Sequence, residues 1–251
     1  MFKKSMFACI VIVLGVAPSL AATRESTATA PLTADDVIRK NIAARGGEGA
    51  WQKVSAMSMS GRMDVGKGMQ VPYVMDMKRG RKVRVEVVFG GQTAVQVYDG
   101  TNGWKRRPFL GHSDAEPFTA DEKRKASMDS DIDGLLVGYA AKGTKAALEG
   151  MEKVEGRDTY KLKLTLKNGE TRRVWIDAEG FLEAKVDGTR LMDGKIKNVS
   201  TYYRDYHTVD GLKIPYVYDT SVDGVKTSGK IEVEKVRVNP VLDDSLFTEL
   251  K

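Results

Sequence analysis

The sequence predicts a mainly β protein: about ten or eleven antiparallel strands, one leading helix and a helical insertion midway. Three observations predict it. From Met57 onward, apolar and polar residues alternate in run after run, the period of a half-buried strand. Turn dipeptides punctuate these runs at hairpin spacing: Asp99-Gly100, Asn102-Gly103, Asn168-Gly169, Asp187-Gly188, Asp193-Gly194, Asp210-Gly211 and Asp223-Gly224. Two capping-box patterns, Thr33 with Asp36 and Thr119 with Glu122, mark the places where a helix begins instead. No domain linker and no fixed-period repeat interrupts the 251 residues.

The leader comes first. Lys3 and Lys4 form a positive n-region, Phe7 to Val16 an apolar h-region, and Pro18-Ser19-Leu20-Ala21 a small-residue cleavage site. Residues 1–21 therefore read as a secretory signal peptide, because the apolar run is too short to span a bilayer comfortably. The competing reading is a retained anchor. Cys9, the only cysteine, lies inside the signal, so the exported chain has neither disulfide nor thiolate ligand. No later segment is apolar enough to cross a membrane, and a soluble periplasmic protein is expected. Residues 22–32, rich in Thr and Ala, read as a flexible leader, and 33–251 as a single domain.

Within that domain Val37, Ile38 and Ile42 make a helical apolar stripe, ended by Gly46-Gly47. A short second turn of helix carries Trp51 and Val54. Strands follow. Met57, Met59, Met63 and Val65 share one face; Val71, Tyr73, Met75 and Met77 share the next, across a Gly66-Lys67-Gly68 turn. Val83, Val85, Val87 and Phe89 come after, then Val95 and Val97, with Trp104 beyond the turn. Pro72 predicts an edge position or a bulge in its strand. Residues 120–141 predict one or two short helices bearing Leu135, Leu136, Val137 and Tyr139. Strands resume with Leu162, Leu164 and Leu166. In VWIDAEGFLEA, Val174 and Ile176 fall on one face, Trp175 and Asp177 on the other, before Leu182, Ala184 and Val186. NPVLDDSLF closes the chain with a short terminal turn.

Charge and motif content narrow the function. The formal net charge is +6, falling to +4 when Lys3 and Lys4 leave with the signal. The densest basic run, KRGRKVR at 78–84, reads as a solvated hairpin turn; without interleaved aromatics it argues against nucleic acid. The two histidines, His112 and His207, stand in separate segments outside any zinc motif. There is no nucleophile elbow and no phosphate-binding loop. DSDIDG (Asp129, Asp131, Asp133, Gly134) matches the first half of a calcium loop, but Ala140 stands where the bidentate glutamate is needed. It reads as a helix entrance. No catalytic residue, metal or cofactor is expected.

Six methionines (57, 59, 63, 69, 75 and 77) fall within 21 residues. Such a stripe fills a core, but methionine also suits walls that repack around varied apolar ligands. A closed sheet of this many strands is wider than its own side chains require. Packed core and ligand lining both stay open on these residues alone.

Longer stretches carry a resemblance: ADDVIRKNIAARGGEGAWQKV, VYDGTNGW at 97–104, GRDTYKLKLTLKNGETRRVWID at 156–177, YHTVDGLKIPYVYDTSVDG at 206–224 and IEVEKVRVNPVLDDSLF at 231–247. In these the chain resembles outer-membrane lipoprotein-sorting proteins of the LolA/LolB superfamily, over nearly all of 33–251. The resemblance implies a curved, incomplete antiparallel β-barrel whose helices form a lid over an apolar cavity. It implies a periplasmic carrier that binds and releases lipid or lipoprotein acyl chains without bond chemistry. The expected lining is Met57, Met59, Met63, Val71, Tyr73, Met75, Val83, Val85, Val95, Val97 and Trp104, with Leu135 and Leu136 from the lid. Expected partners are the acyl chains and a transient inner- or outer-membrane protein. A periplasmic sensor or interaction module on the same fold is the alternative, and an envelope enzyme a more distant one.

Overall fold

Thirteen antiparallel strands form one sheet in the computed structural model, which describes residues 31–66, 68–192, 194–225 and 229–250. The signal peptide, Cys9 and all but the end of the leader lie outside the described residues. Two helices lead, α1 (Ala34–Ala44) and α2 (Glu48–Gln52). Then come β1 (Ala56–Asp64), β2 (Gln70–Lys78), β3 (Lys82–Phe89), β4 (Gln92–Tyr98), β5 (Gly103–Arg107) and β6 (His112–Pro117). Helix α3 (Ala120–Asp129) follows. The second run is β7 (Lys145–Val154), β8 (Arg157–Thr165), β9 (Thr171–Asp177), β10 (Glu183–Met192), β11 (Lys195–Val209), β12 (Leu212–Val222) and β13 (Gly229–Val238).

The spatial order is β6-β5-β4-β3-β2-β1-β13-β12-β11-β10-β9-β8-β7. The chain starts mid-sheet, runs outward to one edge, crosses to the opposite edge, and runs back until β13 pairs with β1. The sheet is open and curved, with β6 and β7 as its edges. Sequence patterning undercounts the strands because these edges hide: HSDAEP has no apolar alternation, and most of KAALEGMEKV is exposed. An edge strand largely in solvent needs little apolar patterning, and in β7 only Ala146, Leu148 and Val154 pack into apolar clusters. Pro72 sits inside the sheet, opposite Arg62 of β1, but one residue outside the β2–β3 ladder, which begins at Tyr73 and Val87. The end of a ladder replaces the expected edge.

Register decides which side chains face inward. Met57 pairs with Met77, Met59 with Met75 and Gly61 with Tyr73, while Met75 pairs with Val85 and Met77 with Val83. These residues share the concave face. One hairpin further, Val85 pairs with Gln96 and Val83 with Tyr98, so Val95 and Val97 take the other face. There they pack against Phe247 of a 3₁₀ turn, Asp244–Phe247, and Trp104 stands opposite Val97. Val95, Val97 and Trp104 thus face away from the concavity, correcting the expected lining: a slip of one residue moves a strand's whole apolar set across the sheet.

Two apolar clusters fill the concave side. Trp51, Val54, Met57, Met59 and Met77 join Ile132, Val137 and residues of β12 and β13. Val37, Ile38 and Leu136 join Leu162, Leu164, Val174 and Ile176. Both capping boxes form as the sequence predicts. Of the expected insertion only α3 is helical; 130–143 is a succession of turns, with Gly134, Gly138 and Gly143 at positive φ. Those glycines break the period that Leu135 and Leu136 suggest. Lys105, nearly buried, meets Glu122 of α3 at 2.6 Å. Burial alone would raise the Glu122 carboxyl, but Lys105 and the Thr119 N–H together hold it below its ordinary value.

The basic run 78–84 is exposed at its tip, as a hairpin turn should be, and is also engaged with the protein. Arg79 reaches both carboxylate oxygens of Asp133 at 3.0 and 2.9 Å and the Trp51 carbonyl at 2.6 Å. Arg81 bonds the Ser127 carbonyl and stands 3.6 Å from Asp131. On the other side Lys78 and Lys82 both hold Asp244, at 2.9 and 3.0 Å, and Arg84 donates to the Leu246 carbonyl. The β2–β3 hairpin tip therefore grips the crossing segment and the chain end at once.

Gly61 lies at a β-bulge against β13, where a Cβ would come within 2.0 Å of the Glu232 carbonyl oxygen. Gly61→Ala is expected to lose about 1–3 kcal/mol in urea melts, as overpacking against rigid backbone does. An unchanged midpoint would show that the two strands part easily there. In DSDIDG, Lys142 and Arg81 hold Asp131, Arg79 holds Asp133 and Lys125 pairs with Asp129. Millimolar calcium should then leave the melting temperature unchanged. A saturable rise, lost in Asp129→Ala, would mean that a folded-state cation site exists after all.

Candidate functional site

Between the two clusters the concave face holds a cavity of about 840 Å³, within the range of small-molecule sites. One wall comes from β1 and β2: Met57, Met59, Met75 and Met77. The opposite wall comes from β9 to β12: Val174, Val186, Ile214 and the rings of Tyr203, Tyr206 and Tyr218. Trp51 closes the α2 end, and Ile132, Leu135 and Leu136 roof the space from the turns after α3. Of the expected lining, Met57, Met59, Met75, Leu135 and Leu136 meet around this cavity. Met63, Val71, Tyr73, Val83 and Val85 belong to the same face but lie beyond its wall.

The tyrosine wall was outside the expected set. Its signal was present in TYYRDYH and IPYVYDT, where aromatic residues crowd two adjacent long strands. Tyr203 and Tyr218 pair across β11 and β12 and meet edge to face at 5.6 Å. Burial pushes the phenols of Tyr203, Tyr206 and Tyr218 up, so all three are neutral at physiological pH. Tyr206 donates to the Glu183 carbonyl at 3.0 Å, and the Tyr218 hydroxyl lies 3.9 Å from the Met59 sulfur. The wall is thus apolar in body, with a few hydroxyls set into it.

Arg45, just past α1, links wall and roof. Its guanidinium lies 4.2 Å from the Trp51 ring centre and 3.3 Å from Glu183, and it donates to the Asp133 carbonyl at 3.4 Å. Charged residues gather at the mouth, on α3, the β8–β9 hairpin and β10. No group of three or more metal-ligating side chains occurs among the described residues. His112 contacts Glu116 on β6, and His207 stacks on Tyr216 in the other half of the sheet; both are exposed. No described helix is long and apolar enough to cross a membrane. The arrangement offers space for an apolar group beneath the roof.

Three solved structures share this architecture. A LolA superfamily protein of Nitrosomonas europaea superimposes with a TM-score of 0.57 at 15% identity, covering 87% of this chain and 99% of that one. A DUF1329 family protein of Desulfovibrio piger gives 0.57 at 14%, with coverages of 86% and 97%. An outer membrane lipoprotein-sorting protein domain of Vibrio parahaemolyticus gives 0.55 at 14%, with 84% and 94%. At these identities the likeness concerns the fold. No curated protein matches the chain. A family model described as "-like: Uncharacterized protein" matches residues 116–251, more than half of the chain. The chain therefore belongs to the family of that model, and its fold is that of the LolA superfamily.

Proposed function

We propose that this protein is an envelope carrier that takes an acyl chain of a lipid or lipoprotein into the concave cavity and later gives it up. The observation that carries the reading is the methionine- and tyrosine-walled cavity under a roof held by ion pairs. Apolar walls suffice for affinity: burying about fourteen methylenes yields on the order of 11 kcal/mol gross. Release then needs a competitor for the same space. Leu136 and Ile132, inserted into the two apolar clusters, are that competitor. Their withdrawal opens the cavity, and their return expels the chain.

The roof's polar attachments suit such a cycle. Arg79 is 38% exposed in its pair with Asp133, and Arg81 is 45% exposed in its pair with Asp131. Ion pairs that wet contribute little each, about 0–1 kcal/mol. They set the roof's position without locking it. The mature chain, in this reading, works in the periplasm after losing residues 1–21, and a membrane protein partner supplies or receives the cargo.

Met75 reaches the cavity from β2 and is only half-buried, so it discriminates lining from core. Met75→Leu should change neither stability nor binding appreciably. Met75→Trp should lower the affinity for a fluorescent fatty acid severalfold, while the melting temperature moves little. If tryptophan instead costs about 1–3 kcal/mol and the unmodified protein binds no fatty acid, the space is core and the carrier reading fails.

A further inference from the structure

One arginine inside the mouth has more donors than acceptors. Arg172 alternates with Val174 and Ile176 on the concave face of β9, so its guanidinium points into the same space as the apolar wall. Its side chain is only 13% exposed. Its strongest acceptor is Glu170, at 3.2 Å, but Arg124 of α3 claims the other oxygen of that carboxylate at 2.9 Å. Its remaining contacts are poor: the Thr171 carbonyl at 3.5 Å and the Met128 sulfur at 3.5 Å. A guanidinium withdrawn from water and given half of one carboxylate is left with unmet demand for an anion.

The neighbouring strand is shaped around it. A Cβ on Gly188 of β10 would lie 2.6 Å from an Arg172 guanidinium nitrogen. Gly188 does not take the left-handed φ that would explain a glycine on backbone grounds. Without a Cβ there, the Arg172 guanidinium lies directly against the strand. Two residues along β10, Arg190 also lines the mouth and makes no hydrogen bond or ion pair among the described residues. Arg124 and Arg172 thus share the one carboxylate of Glu170, and Arg190 adds a further positive charge to the same lining. Val174 follows Arg172 at about 7 Å along the strand, where the apolar wall begins.

The geometry points to an oxyanion subsite at the mouth: Arg172 and Arg190 receive the carboxylate or phosphate head of an amphiphile whose chain lies along the methionine and tyrosine walls. A flat guanidinium suits either head, because both offer paired oxygens to its N–H fork. This rests on the carrier reading and narrows its cargo to anionic amphiphiles. Neutral lipids of the same length lose the head contact.

The test compares palmitate with hexadecanol, equal in chain length but not in charge, as competitors of a neutral fluorescent probe bound to the full mature chain. Palmitate should bind on the order of tenfold more tightly than hexadecanol, and the ratio should shrink as salt is raised. Arg190→Met, at the rim and without partners to lose, should reduce palmitate affinity severalfold and leave hexadecanol unchanged. Arg172→Met should do the same more strongly, with part of the loss restored in Arg172→Lys. Equal affinities in the unmodified protein, or a ratio untouched by Arg190→Met, overturn the subsite while leaving the cavity reading in place. Displacement by neither amphiphile overturns both. Inorganic phosphate provides the last arm: it should bind far more weakly than palmitate. Equal binding by phosphate would assign the arginines to a free anion and overturn the amphiphile head.

Discussion

The constraint on which the structure depends is topological. Strands β6 and β7 are consecutive in sequence and lie at opposite edges of the sheet. Whatever joins them must span the sheet, and because the sheet curves, the short route runs over its concave side. Helix α3 and the turns of 130–143 take that route. A roof is therefore a consequence of the connectivity and needs no added domain. Its side chains can be insertions or plugs, but the backbone must pass there.

That crossing also explains the distribution of charge. A segment bridging open space cannot satisfy itself with ladder hydrogen bonds, so its polar groups find side-chain partners. The aspartates of DSDIDG meet Arg79, Arg81, Lys125 and Lys142, and the Asp133 carbonyl meets Arg45. What resembles half a metal loop is the polar seam between a bridge and the rim beneath it. Apolar pegs do the deeper fastening, since Leu136 is 1% exposed while the ion pairs stay wet.

Much of this was legible in the sequence, unevenly. The turn dipeptides and alternation reveal most strands, and the caps at Thr33 and Thr119 place α1 and α3, because both signals are local. The methionine wall follows from parity within β1 and β2. Parity then fails across one hairpin, since which of Val95 or Gln96 faces Val85 depends on loop length, which alternation does not record. The tyrosine wall and Arg172 were hidden differently. They reach the cavity from β9 to β12, far along the chain, and only the order of thirteen strands brings them opposite the methionines.

The double grip of the β2–β3 hairpin tip has a mechanical consequence. Arg79 and Arg81 hold the bridge while Lys78 and Lys82, one residue to either side of them, hold Asp244 on the convex face. These seven residues carry five anchored cations, Arg84 on the Leu246 carbonyl being the fifth, and tie the two faces together at one hairpin tip. A body that pressed on the chain's C-terminal turn from outside would act on the same short beam that positions the roof inside. One hairpin thus sets the position of a segment on each face of the sheet.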